Sequence, residues 1–137
     1  MKSLNHREHR EHRDGVAADV TERIIGCAIR VHEGVGPGLL ESVYLACMCH
    51  ELTLAGLEFQ REKAIPIRYR GVQLECGFRA DLIVAGTVLV ELKAVDAILP
   101  VHESQVLSYM RLANLPVGLL INFHSKLLRT GLRRFVT

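Results

Sequence analysis

The sequence has 137 residues, 49% of them hydrophobic and 23% charged, with a formal net charge of +2. A chain of that length builds one ordinary core without disulfides or a structural metal, and so mild a positive balance is not by itself the footprint of a nucleic-acid binder. The four cysteines, Cys27, Cys47, Cys49 and Cys76, form no C-x-x-C pair and have no histidine at zinc-finger spacing, which predicts free thiols in a reducing compartment.

The N-terminus is strongly polar, which argues against a signal peptide. No apolar run approaches the ~20 residues that span a bilayer, so a cytoplasmic protein without membrane contact is expected. Residues 1–15 form a compositional zone of their own, a near-repeat of His, Arg and Glu closed by Asp14-Gly15. With almost nothing apolar to bury, they are expected to be a mobile tail or a frayed helix, and 16–137 a single domain. His6, His9 and His12 would share one helix face as metal ligands. Nothing nearby in the sequence would bury or orient their rings, which weighs against that reading. Phosphate contact by Arg7, Arg10 and Arg13 is offset by the acids between them.

A first helix is expected from Asp19, where Asp19 and Glu22 fit a capping box. Val20, Ile24, Ile25, Ala28 and Val31 then recur at helical spacing. Gly34-Val35-Gly36-Pro37-Gly38 breaks it. A second helix is expected over 39–55, apolar nearly all round and therefore a core helix, with Gly56 as its stop. From Lys63 the pattern alternates through Ile65, Ile67 and Tyr69, which predicts a strand with an edge-like Pro66. Gly71 turns the chain. Strands are expected over 76–84 and 87–92, joined through Ala85-Gly86. A helix over 102–114 and a buried strand over 117–123 follow, and the basic stretch 126–137 reads as one more strand. The sum is an α/β (α+β) domain with a mixed central sheet flanked by helices.

The segment richest in chemistry runs from Asp81 to Glu91-Leu92-Lys93. Val88, Leu89 and Val90 form an unbroken apolar run that predicts a strand buried on both faces. An acid and a lysine just beyond it are costly there unless paired or bound to a metal. Glu91 and Lys93 share a face by strand alternation. A two-residue loop at Ala85-Gly86 would leave Asp81 on the other face. A three-residue loop, Ala85-Gly86-Thr87, would set Asp81 opposite Glu91, and this is the expectation, because it gives the two acids a common purpose.

Two carboxylates and a lysine suit the holding of Mg²⁺ or Mn²⁺ and the hydrolysis of a phosphodiester. A structural salt bridge between Lys93 and its acidic neighbours accounts for the same residues more plainly. Glu41, in the first turn of the second helix, either complements the helix N-terminus or serves as a third acid. Gln105 and Tyr109, four apart on the later helix, share a face and either meet a substrate phosphate or form ordinary helix surface.

The run Gly38-Leu39-Leu40-Glu41-Ser42-Val43-Tyr44 resembles the G-x-x-E-x-x-Y signature of the bacterial GxxExxY proteins, grouped by fold with the PD-(D/E)XK nuclease superfamily. The resemblance spans residues 21–136. It takes in Gly36-Pro37-Gly38, Phe78-Arg79-Ala80-Asp81-Leu82, Val90-Glu91-Leu92-Lys93, Gln105 with Tyr109, and Gly118-Leu119-Leu120-Ile121-Asn122-Phe123. It implies a restriction-endonuclease-like αβββαβ core. It implies Asp81 and Glu91 as metal ligands, Glu41 as a helix-borne acid that binds or places the metal, and Lys93 as the catalytic lysine. Gln105 and Tyr109 match the Q-x-x-x-Y element of the superfamily's exonuclease branch. Ala80 stands where the name-giving motif has proline, a position that holds no metal.

The function expected is therefore a Mg²⁺- or Mn²⁺-dependent nuclease acting on nucleic acid, DNA in the first place. The alternative is a catalytically silent module of the same fold that binds nucleic acid or a protein. A third reading is an assembly protein that uses its apolar second helix and a free strand edge. A chain this small also suits a homodimer or a larger complex.

Overall fold

The computed structural model describes the backbone of residues 2–75 and 77–137 and the side chains of 19–75 and 77–137. The side chains of His6, His9 and His12, and all of Cys76, lie outside the described residues. Helix α1 runs Lys2–Val35, so Asp19 lies inside a helix and is no N-cap. Ala17 and Ala18 precede it, and alanine is the best helix former, so nothing there ends the helix. Helix α2 (Glu41–Leu54) buries Tyr44, Leu45, Met48 and Leu52. Its other side is open, with Leu40 just before it and Leu54 both well exposed, so it is a one-faced helix and not an all-round core helix.

Strand β1 (Phe59–Ala64) begins earlier than expected. Its Gln60-Arg61-Glu62-Lys63 run hides it in the sequence, but an edge strand with one open face tolerates charge. Pro66, which has no N–H for a ladder, ends it. The chain then leaves the main sheet as a small hairpin, β2 (Ile67–Tyr69) and β3 (Val72–Leu74). The expected long strands over 63–70 and 76–84 are thus split. Strands β4 (Arg79–Val84) and β5 (Val88–Lys93) follow, then helix α3 (Pro100–Ala113), β6 (Val117–Asn122), a 3-10 turn (Leu128–Gly131) and β7 (Leu132–Val136). Pro100 opens α3, where its missing N–H costs nothing.

The main sheet has five strands in the order β1-β4-β5-β6-β7. Only β5 and β6 pair in parallel; the other neighbours are antiparallel. A parallel pair needs a crossover, and α3 supplies it. Helices α1 and α2 cover one face, with Ile24, Ala28, Tyr44 and Met48 packed on Leu82, Val90, Leu92 and Ile121. Helix α3 covers the other, with Val106 and Met110 on Ile83, Leu89 and Leu120. Helix α3 packs directly on Gly118: a Cβ there would lie 2.8 Å from Val106 Cγ1 and 2.5 Å from Met110 Sδ. Both faces of β5 are therefore dry, and Glu91 lies on the α3 face beside Leu89 by alternation.

Candidate active site

The β4–β5 hairpin pairs Val84 with Val88, Ile83 with Leu89 and Leu82 with Val90. The loop between them is Ala85-Gly86-Thr87, closed by the Thr87 N–H on Val84 O at 3.1 Å. Both Ala85 (φ 52°) and Gly86 (φ 63°) take the left-handed conformation that such a tight loop demands. One step further along this register Asp81 stands opposite Glu91. There the side chains take over from the backbone ladder. The Asp81 N–H donates to Glu91 Oε1 at 3.0 Å, and the Leu92 N–H donates to Asp81 Oδ2 at 2.8 Å. Each carboxylate is thereby oriented by a backbone donor through one oxygen.

Glu91 is only 7% exposed. Burial, reinforced by the negative charge of Asp81, pushes its carboxyl up to about 8. Burial also raises Asp81; the Leu92 N–H opposes this, Glu41 and Glu62 add to it, and Lys93 offsets part of it. The charge of Lys93 acts on both acids, yet no ion pair joins it to either among the described residues. A closed structural salt bridge is therefore not what holds this trio.

Glu41 is the first residue of α2 and is exposed. Its position is set by Tyr44, which is fully buried. The Tyr44 hydroxyl donates to Gly36 O at 2.6 Å and accepts from the Leu39 N–H at 3.2 Å, pinning the Gly-Pro-Gly turn before the helix. The Tyr44 ring stacks on Phe123, centroids 4.5 Å apart. The Phe123 N–H in turn donates to Lys93 O at 2.9 Å. Tyr44 thus ties the start of the Glu41 helix to the end of the Lys93 strand.

Tyr109 faces the acids from α3: its phenol is raised by burial and then by the charges of Glu91 and Asp81. It stacks on Phe78, centroids 3.6 Å apart. Gln105 lies one turn earlier, half-buried, and makes no hydrogen bond to either carboxylate. So Asp81, Glu91 and Lys93 are brought together, Glu41 and Tyr109 stand within electrostatic range, and Gln105 only shares their side of α3.

Glu62 escaped the sequence reading, and Tyr44 and Asn122 stood there as motif residues without a role. Glu62 stands opposite Asp81 on β1 by the register of that pair, and its backbone takes φ 50° there. Tyr44 is a clamp, a role that only its hydrogen bonds reveal. Asn122, 2% exposed, accepts from the Val95 and His124 N–H groups and donates to Val95 O, fixing the turn that follows Lys93. The burial of a polar residue at the end of an apolar strand was the signal available for it.

A family model described as the PD-(D/E)XK nuclease superfamily matches residues 18–135. The chain belongs to the PD-(D/E)XK nuclease superfamily. No curated protein and no solved structure gives a significant match. The mixed sheet with helices on both faces is the restriction-endonuclease-like arrangement of that superfamily. Its nucleases generally use divalent metal ions and act on nucleic acid. The donor set here fits such an ion: two anchored carboxylates, each with a second oxygen outside the backbone bonds above, and mutual repulsion that a dication relieves. Mg²⁺ is commonly held by one or two carboxylates and keeps several waters. Among the described residues no three His, Cys, Asp or Glu side chains close on one point. None of the described helices is long and apolar enough to cross a membrane.

Proposed function

We propose that this superfamily member is a Mg²⁺- or Mn²⁺-dependent phosphodiesterase that hydrolyses nucleic acid, with DNA as the first substrate to test, acting in the cytoplasm as a homodimer or within a larger complex. The observation that carries this reading is the Asp81–Glu91 pair, a half-buried and a buried carboxylate each oriented by the partner strand's N–H, with Lys93 two residues on. Asp81 and Glu91 are the ligands in this reading, with Glu41 assisting from the α2 N-terminus. A divalent ion held there supplies positive charge against the phosphate and lowers the pKa of water. The Lys93 ammonium orients the attacking water and offsets charge that develops on the phosphate oxygens. Tyr109 and Gln105 sit on the α3 side, where the Tyr109 hydroxyl and the Gln105 amide are suited to hold a substrate phosphate.

A silent binding module of the same fold is the second reading, favoured by the absence of a closed three-acid cluster among the described residues. Mn²⁺ titration by calorimetry separates the two. The nuclease reading expects saturable binding that Asp81→Asn weakens at least ten-fold without loss of fold. Salt-sensitive DNA binding with no metal affinity in either protein would favour the module.

A further inference from the structure

Strands β2 and β3 stand apart from the main sheet as a separate two-stranded unit. Ile67 pairs with Leu74 and Tyr69 with Val72, so all four side chains share one face. That face is open: Tyr69 is 62% exposed and Val72 57%. Arg68 pairs with Gln73 on the opposite face, and Arg70 sits in the turn with φ 50°. Neither guanidinium has an ion-pair partner among the described residues. Tyr69 thus stands exposed beside Arg70 of the turn, with Arg68 on the other face; an open aromatic ring next to an unpaired guanidinium is suited to stack a base and grip the phosphate beside it.

The placement of the hairpin gives this combination a purpose. It springs from the end of β1 and β4 that carries Asp81: Ala64 pairs with Arg79, and the Ile65 N–H donates to Phe78 O at 3.2 Å just before the chain departs. A groove of about 470 Å³ lies between hairpin and sheet, lined by Ile65, Gln73, Glu75, Phe78 and Arg79. Phe78 stacks on Tyr109, whose phenol feels both carboxylates. The groove thus lies at the end of the sheet that carries Asp81, two residues from Arg79 on its wall.

We propose that the 67–74 hairpin is a substrate-gripping arm that takes a nucleic-acid strand with unpaired bases, Tyr69 stacking on a base, Arg70 in the turn holding the phosphate beside it, and Arg68 meeting a further phosphate where the strand passes the other face. This rests on the nuclease reading and adds the class of substrate: a single strand or an overhang, not a blunt duplex.

The test is fluorescence anisotropy with labelled single strands, overhang duplexes and blunt duplexes, of DNA and of RNA, with the full chain in EDTA, alongside cleavage in Mn²⁺. Wild type is expected to prefer the strands and overhangs. Tyr69→Ala is expected to weaken that binding about ten-fold with an unchanged salt dependence, and Tyr69→Phe to keep it. Arg68→Ala with Arg70→Ala is expected to lower the log–log salt slope by about 1–2. All are surface changes, and circular dichroism checks the fold. Variants that bind like wild type, while wild type still cleaves, would overturn the arm and leave the nuclease reading standing. A wild type that neither binds nor cleaves any of these substrates would overturn both. A dimer that Tyr69→Ala dissolves, with nucleic-acid binding unchanged, would assign the face to a second copy and overturn the arm.

Discussion

Glu91 is a carboxylate held where water hardly reaches, with a second carboxylate directly across the strand pair. Its ionised form is disfavoured in the fold and free in the unfolded chain, where the usual value is about 4.3. With the folded carboxyl at about 8, the folded protein binds more protons than the unfolded one between these values. The resulting stability is complete below about 4.3 and is lost as pH rises through about 8. Metal-free protein is therefore expected to melt at progressively lower temperature from pH 5 to pH 8.5. Glu91→Gln keeps an oxygen for the Asp81 N–H and removes the buried charge, so it is expected to flatten that slope and to raise Tm at pH 8. Denaturation scans in EDTA check this; a slope unchanged by the substitution would contradict it. The trio itself was legible from spacing, because an acid and a lysine following a doubly buried strand stand out. The parity that brings Asp81 to Glu91 was only a reasoned preference between two loops. It depends on Ala85, a non-glycine residue in a left-handed conformation, which sequence does not advertise.

Among the elements, the α1–α2 corner shows how a motif residue acts at a distance from the chemistry. Tyr44 touches neither carboxylate, but its hydroxyl holds both sides of the turn that launches Glu41. Tyr44→Phe removes both bonds while keeping the stack on Phe123. A cost of about 1–2 kcal/mol in urea unfolding is expected, together with reduced nuclease turnover as the start of α2 loosens. Full stability in the variant would show that the clamp is idle. The second helix and α3 were placed to within two residues at each end, with Gly56 as the stop of α2, although α2 was read as apolar all round and buries one face only. Strand β1 was not, because an edge strand with an open face can carry a run of charges that reads as loop. The start of α1 was misplaced because Asp19 and Glu22 make a capping pattern that a continuing helix overrides.

Across the whole molecule, the parallel β5–β6 pair is what makes a site possible. It delivers Lys93 and Asn122 to one end of the sheet, side by side in register. The antiparallel β4 brings Asp81 to the same end, and the two helical layers seal both faces behind it. The element order and mixed sheet followed from the sequence, since helical and strand periods alternate clearly along it. The small hairpin did not, because Pro66 and Gly71 mark breaks without saying that the chain leaves the sheet between them. Cleavage is the most direct test of this account. Labelled DNA and RNA are incubated with the wild-type chain in Mg²⁺ or Mn²⁺, beside Lys93→Ala. Metal-dependent cleavage that falls about 10²–10³-fold in the variant is expected. Cleavage that persists undiminished in folded Lys93→Ala, or needs no divalent metal, would contradict it.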